Sequence, residues 1–116
     1  MILIVEDDPQ VARLIALVLE RNGYKGEVLA DGHSALAKAR DQKPELILAD
    51  LSIKGMGGDA LCTSLKSDPD TRSIPFVILS GDRDIAEKSR ACGADGHLGK
   101  PFEFEDLLRL VKTYAD

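Results

Sequence analysis

The segment "LILADLSIKGMGGDAL" (46–61) decides the fold, because it joins an apolar run to a glycine-rich loop and the start of a helix. The apolar residues lead to one carboxylate, Asp50, and the loop after it contains three glycines and no proline. A short apolar run bounded by turn residues is typical of a strand buried on both faces. Asp50 is therefore predicted to lie at the end of a core strand.

Similar apolar runs recur along the chain and alternate with helical patterns. Between Pro9 and Arg21 the apolar residues follow the spacing of a core-facing helix, with Asp8 as the expected N-cap. We predict strands at 1–5, 27–30, 45–50, 75–80 and 95–101, and helices at 9–21, 31–43, 58–67, 83–93 and 103–115. This alternation predicts the α/β class, with a parallel sheet and helices on both faces.

Composition limits the classes of function. With 116 residues, 44% hydrophobic and 30% charged, the chain is expected to form a single domain over 1–116. A net charge of -5 and the lack of a basic stripe disfavour direct nucleic-acid binding. No apolar run is long enough to span a membrane and no signal peptide is recognised, so we expect a cytoplasmic protein without membrane insertion. Cys62 and Cys92 are expected to be buried thiols rather than a structural disulfide.

Polar side chains follow four of the predicted strands. They are Glu6, Asp7 and Asp8 after the first, Asp50 after the third, Ser80 after the fourth and Lys100 after the fifth. In a parallel sheet such ends face one crevice, where neighbouring carboxylates raise each other's pKa unless a cation offsets them. Mg²⁺ suits an open site of this kind. Taken singly, each of these residues is also explained as a helix cap, a turn residue or a surface charge.

The chain resembles the receiver domain of two-component response regulators. The matching segments are "ILIVEDDP" (2–9), "PELILADLSIKGMGG" (44–58), "IPFVILSG" (74–81) and "GADGHLGKPF" (93–102). The resemblance implies a flavodoxin-like (βα)5 fold with sheet order 2-1-3-4-5. It also implies that the domain accepts a phosphoryl group from a sensor histidine kinase or a histidine phosphotransfer protein, and acts on a downstream protein or output domain.

The resemblance also implies roles for the strand-end residues. Asp50 would be the phosphoacceptor, and the metal, Mg²⁺ or Mn²⁺, would be held by Asp7, Asp50 and the backbone carbonyl of Ser52, with Glu6 acting through water. Ser80 and Lys100 would bind the phosphoryl group. The fourth helix, fifth strand and fifth helix would form the signalling surface. A homodimer formed through this surface is also compatible with the family. Beyond phosphorylating and dephosphorylating itself, the domain is not expected to be an enzyme.

Two positions depart from the family's pattern. His97 stands where Tyr or Phe is usual, which is explained either by tolerance on an exposed strand or by an imidazole that alters the switch. Lys54 replaces the usual proline, and with the added glycines this predicts a softer loop after Asp50.

Two alternative functions stay open, and so does the question of whether the chain is a whole protein or part of a longer one. A Mg²⁺-dependent phosphatase would need a second catalytic acid where Ser52 stands, and a module that signals without phosphate would not need the strand-end residues. A stand-alone regulator and a fragment of a longer regulator or hybrid kinase both agree with the sequence.

Overall fold

The computed structural model describes residues 1–115. Strands and helices alternate throughout. In chain order they are β1 (Ile2–Val5), α1 (Pro9–Arg21), β2 (Gly26–Leu29), α2 (Gly32–Gln42), β3 (Leu46–Asp50), α3 (Gly58–Lys66), β4 (Phe76–Ser80), α4 (Ile85–Cys92), β5 (Gly96–Gly99) and α5 (Phe104–Ala115). The strands form a parallel sheet in the order β2-β1-β3-β4-β5, which confirms the predicted class and strand order.

The sheet is buried on both faces because its central strands are apolar at every position except the last residues of β3 and β4. Side chains alternate between the faces. One core cluster contains Leu3, Val5, Ile47, Ala49 and Ile78 of the strands with residues of α2, α3 and α4, such as Ala39, Leu61 and Cys92. The other contains Ile2, Ile4, Leu46, Leu48 and Leu79 with residues of α1 and α5, such as Ile15, Leu19, Leu107 and Val111. The sheet therefore has α2, α3 and α4 on one face and α1 and α5 on the other.

The strand order reverses at the centre of the sheet. From β1 the chain passes through α1 to β2 on one side, and then through α2 to β3 on the other side of β1. In open parallel sheets the crevice at such a reversal, outside the carboxyl ends of the strands, is the usual binding position. Here that crevice lies after Val5 of β1 and Asp50 of β3, which are the ends carrying the predicted carboxylates.

Helix starts follow the expected capping chemistry. Asp8 accepts hydrogen bonds from the backbone N–H groups of Gln10 and Val11, which confirms it as the N-cap of α1. α4 begins at Ile85, later than the predicted 83, since residues 83 and 84 form a turn before the helix. Within residues 1–115, none of the helices combines the length and apolar character needed to cross a bilayer.

Candidate functional site

Asp50 ends β3 at the centre of the sheet, where two groups hold its carboxylate. Oδ1 accepts a hydrogen bond from the backbone N–H of Ser52 at 3.2 Å. Oδ2 accepts one from Lys100 Nζ at 2.9 Å. The rigid strand below and these two donors fix the direction of the carboxylate, which is what a reacting group needs.

Lys100 joins this carboxylate to a second one. Its ammonium lies 2.6 Å from Glu6 Oε1, and Glu6 is only 3% exposed. Lys100 follows β5, at the edge of the sheet, whereas Glu6 follows β1 near the centre. The long lysine side chain therefore spans β4 to reach the crevice, and the structure brings Glu6, Asp50 and Lys100 together as predicted.

Burial and the ammonium group shift the titration of these three residues. Burial raises the pKa of Glu6 to about 7, helped by the neighbouring Asp50 and opposed by Lys100. Burial also pushes the pKa of Asp50 upward, but hydrogen bonds from Lys100 and Ser52 outweigh it and hold this pKa below its usual value. Although burial disfavours the Lys100 ammonium, the two carboxylates raise its pKa overall. Asp50 thus stays ionised, and Glu6 is the group that holds a proton most readily.

The carboxylate oxygens of Glu6 and its neighbour Asp7 are of the kind that bind a hard divalent cation. Among the described residues, Glu6 Oε2 is the buried side-chain oxygen that lacks a hydrogen-bond partner. Asp7 is exposed beside it, and both line a cavity of about 490 Å³ next to α1. No set of three His, Cys, Asp or Glu side chains converges as a metal cage anywhere in residues 1–115. Mg²⁺ does not require one, because it usually takes one or two carboxylates and keeps several waters.

Ser80 ends β4 beside Asp50 and is 3% exposed. Its hydroxyl accepts the backbone N–H of Asp82 at 3.0 Å, and the Asp82 carboxylate pairs with Lys88 of α4 at 3.0 Å. Because a hydroxyl can also donate, Ser80 retains a hydrogen for another acceptor. The Asp82–Lys88 pair was not predicted from the sequence, since its geometry depends on where α4 begins.

His97 lies on β5 away from the acidic cluster. It is exposed, and its neighbour Leu98 packs into the core on the α1 and α5 side, so His97 projects from the opposite face of the sheet. Its register partner is Ile78 of β4. The structure therefore places His97 at an exposed position, and its effect on the switch stays a prediction.

The glycine loop after Asp50 is held by main-chain contacts. Residues 31 and 54 form a parallel bridge, in which the N–H of Gly32 donates to the carbonyl of Lys54 at 2.9 Å. The Lys54 residue is exposed, as is Ser52. At Gly58 an added Cβ would lie 2.1 Å from the carbonyl oxygen of Asp50, so only glycine allows α3 to start this close to β3. The expected softness of this loop stays a prediction, and the bridge to α2 acts against it.

Comparisons with known proteins agree with this geometry. The family model described as "Response regulator receiver domain" matches residues 2–112. The DNA-binding response regulator MtrA of Mycolicibacterium smegmatis is 34% identical over 114 residues, covering 97% of this chain and 49% of the relative. The chain thus spans about half the length of the curated relatives it matches.

Solved structures of receiver domains superpose closely. The signal receiver domain of a signal transduction histidine kinase from Syntrophus aciditrophicus has a TM-score of 0.91 and 37% identity, covering 98% of this chain and 88% of that one. The receiver domain of sensor histidine kinase PA1611 from Pseudomonas aeruginosa, described with magnesium coordinated in its active-site cleft, has a TM-score of 0.90 and 27% identity, covering 98% and 95%. On the family match, the fold and this crevice, the chain belongs to the response regulator receiver domains of two-component signalling.

Proposed function

We propose that Asp50 accepts a phosphoryl group, and that the aspartyl phosphate is the signal this domain carries. The observation that supports this most directly is the Asp50 carboxylate at the switch point of the sheet, fixed between Lys100 and the Ser52 N–H. Its lowered pKa keeps it ionised, as a nucleophile must be.

The chain's own residues supply positioning and charge. A carboxylate oxygen of Asp50 attacks phosphorus and forms an acyl phosphate, while the donor's leaving group departs on the opposite side. Lys100 already neutralises this carboxylate and would balance the added negative charge. The Ser80 hydroxyl, at the end of the next strand, would donate to a phosphoryl oxygen. We propose no activity beyond this self-phosphorylation and its reversal.

We further propose that Mg²⁺, with Mn²⁺ as a substitute, binds beside Asp50. Asp7, Asp50 and the backbone carbonyl of Ser52 would hold it, and Glu6 would contribute through water. The unpartnered Oε2 of Glu6 and the exposed Asp7 support this assignment. The cation would supply positive charge to the phosphoryl oxygens during transfer.

The signal would leave through the surface of α4, β5 and α5. Ser80 is joined to α4 through the Asp82 amide and the Asp82–Lys88 pair. If the Ser80 hydroxyl turns toward a phosphoryl oxygen and releases the Asp82 N–H, this turn rearranges and α4 responds. His97 lies within this surface, on β5.

Partners follow from this role. We propose a sensor histidine kinase or a histidine phosphotransfer protein as donor, and a downstream protein or output domain as receiver of the signal. We also propose a cytoplasmic location, one domain over 1–116, no direct nucleic-acid contact by this domain, and a homodimer through the α4, β5 and α5 surface.

The experiment is incubation of the chain with Mg²⁺ and a small phosphodonor, followed by intact-mass measurement. We expect the wild type to gain the mass of one phosphoryl group, and expect no gain for Asp50→Asn or when the metal is chelated. Asp41→Asn, at an exposed position of α2, is the matched control and should be phosphorylated normally. A wild type that gains no phosphoryl mass would refute the proposal.

A further inference from the structure

The two cysteines lie next to each other between α3 and α4. Cys62 is 0% exposed and Cys92 is 7% exposed, and both are free thiols. The Cys62 thiol donates to the Cys92 carbonyl at 3.4 Å, and the Cys92 thiol donates to the Ser89 carbonyl at 3.3 Å. Cys62 therefore directs its sulfur at residue 92, although 30 residues separate the two in sequence.

Both cysteines sit on packed helices. A disulfide needs Cα atoms roughly 4.4–6.8 Å apart and Cβ atoms facing each other. The Cys62 sulfur lies 3.4 Å from the Cys92 carbonyl oxygen, so the two residues are direct neighbours across the interface between α3 and α4. Formation of the disulfide would require the two side chains to rotate until the sulfurs meet.

Their access to solvent differs. Cys92 lines an open cavity of about 230 Å³ between α3 and α4, together with Asp59, Thr63, Lys88 and Ala91. This volume is ample for a molecule little larger than water. Cys62 lies behind it, and burial together with hydrogen bonding to Cys92 raises the pKa of the Cys62 thiol. An oxidant entering the cavity would meet Cys92 first.

We propose that Cys62 and Cys92 are an oxidation site, at which a hydroperoxide converts the two thiols to a disulfide that cross-links α3 to α4. The Cys92 sulfur attacks the peroxide O–O bond, giving a sulfenic acid at Cys92 and releasing water or an alcohol. The Cys62 sulfur then displaces the hydroxyl group from Cys92, and the Cys62 proton leaves with it as water. The two thiols lose two electrons, and the peroxide gains them.

The cross-link acts on an element of the proposed signalling surface. Lys88 of α4 pairs with Asp82 in the turn that holds the Ser80 hydroxyl. Tying Cys92 of the same helix to α3 restricts how far α4 moves when that turn rearranges. This consequence rests on the proposed function, whereas the formation of the disulfide does not.

Peptide mapping of the folded wild-type chain tests the proposal without any substitution. After treatment with hydrogen peroxide and blocking of free thiols under denaturing conditions, trypsin releases residues 55–66, containing Cys62, and 91–109, containing Cys92. We expect these peptides to be linked, with the intact monomer lighter by about 2 Da and the link reversed by dithiothreitol. Absence of oxidation, links between two chains, or sulfinic acid at Cys92 with Cys62 free would each overturn the proposal.

Single variants test the order of reaction. In Cys62→Ser we expect dimedone to trap a sulfenic acid at Cys92, and in Cys92→Ser we expect Cys62 to remain a thiol under the same treatment. Oxidation should also raise the thermal midpoint of the wild type, by an amount on the order of 10 °C. Sulfenic acid at Cys62 in the Cys92→Ser chain, with its circular dichroism unchanged, would contradict the assignment of Cys92 as the entry point.

Discussion

One ammonium group pairs with two carboxyl groups, those of Glu6 after β1 and Asp50 at the end of β3. Lys100 is 24% exposed at its side chain, Glu6 3% and Asp50 17%, so water screens these charges only partly. In such a setting, removing one partner costs much more than the pair contributes, because the remaining charges lose both water and counterion. The cluster is therefore sensitive to single substitutions.

Removing the ammonium should destabilise the metal-free protein. For Lys100→Met we expect the free energy of unfolding near neutral pH to fall by about 2–4 kcal/mol, since Glu6 and Asp50 then face each other uncompensated. Urea denaturation measures this. Adding Glu6→Gln to the Lys100→Met chain should recover part of the loss, and equal stabilities of the two chains would contradict the electrostatic explanation.

Glu6 should make stability depend on pH. Burial raises its pKa from 4.5 to about 7 in the folded protein, so the folded state keeps a proton that the unfolded state has lost between these values. The stabilisation of the folded state by this proton is complete at pH values below 4.5, the pKa of Glu6 in the unfolded chain. It disappears as the pH rises through about 7. Relative to Glu6→Gln, the metal-free wild type should lose stability between about pH 5 and about pH 8. A constant difference between the two denaturation series would refute this.

At the scale of elements, the start of α3 requires glycine at position 58. A Cβ at Gly58 would lie 2.1 Å from the Asp50 carbonyl oxygen, which cannot give way without moving β3 or α3. We expect Gly58→Ala to lower the free energy of unfolding by about 3 kcal/mol and to displace Asp50. Gly81→Ala is the control, because its nearest atom would be 3.7 Å away. Similar melting temperatures for both variants would contradict this explanation.

A second connection between elements lies at the other end of the strands, before β4 and β5. Lys66 Nζ at the end of α3 donates to the carbonyls of Arg72 and Ile74 and to the Asp95 carboxylate, which also accepts the N–H of Phe76. It thereby joins α3 to the segments before β4 and β5.

Removing the Lys66 ammonium should destabilise this connection between α3 and the segments before β4 and β5. For Lys66→Met we expect a loss of about 1–3 kcal/mol in unfolding free energy, because the Arg72 and Ile74 carbonyls and the Asp95 carboxylate all lose their shared donor. Lys88→Met, at an exposed pair, should leave chemical denaturation nearly unchanged. If both variants denature at the same urea concentration, Lys66 has no such role.

The elements were predictable because their patterns are local. The apolar runs, Pro9 and Asp8 define β1, β3 and α1 to within one residue at each end. The contacts that complete the site are not local. The Asp82–Lys88 pair and the bridge between residues 31 and 54 both depend on how separate elements pack, which periodicity does not encode.

At the scale of the whole molecule, Mg²⁺ should stabilise the fold. A ligand that binds only the folded state raises its stability, so a concentration about tenfold above Kd should raise the thermal midpoint by roughly 5 °C. We expect chelation to reverse this shift and Asp7→Asn to weaken it, while Asp41→Asn behaves like the wild type. A midpoint that does not respond to Mg²⁺ would exclude the proposed cation site.

The bridge between residues 31 and 54 affects which substitutions the chain can tolerate during evolution. Its hydrogen bond joins the amide of Gly32 to the carbonyl of Lys54, so no side chain takes part in it. Substitutions at position 54 should consequently leave the contact between the loop and α2 intact. Gly32 has no such freedom, because a Cβ there would lie 2.1 Å from the Met56 carbonyl oxygen. Natural variation should therefore accumulate at position 54 and be selected against at position 32, so that related chains differ in the surface beside an unchanged Asp50.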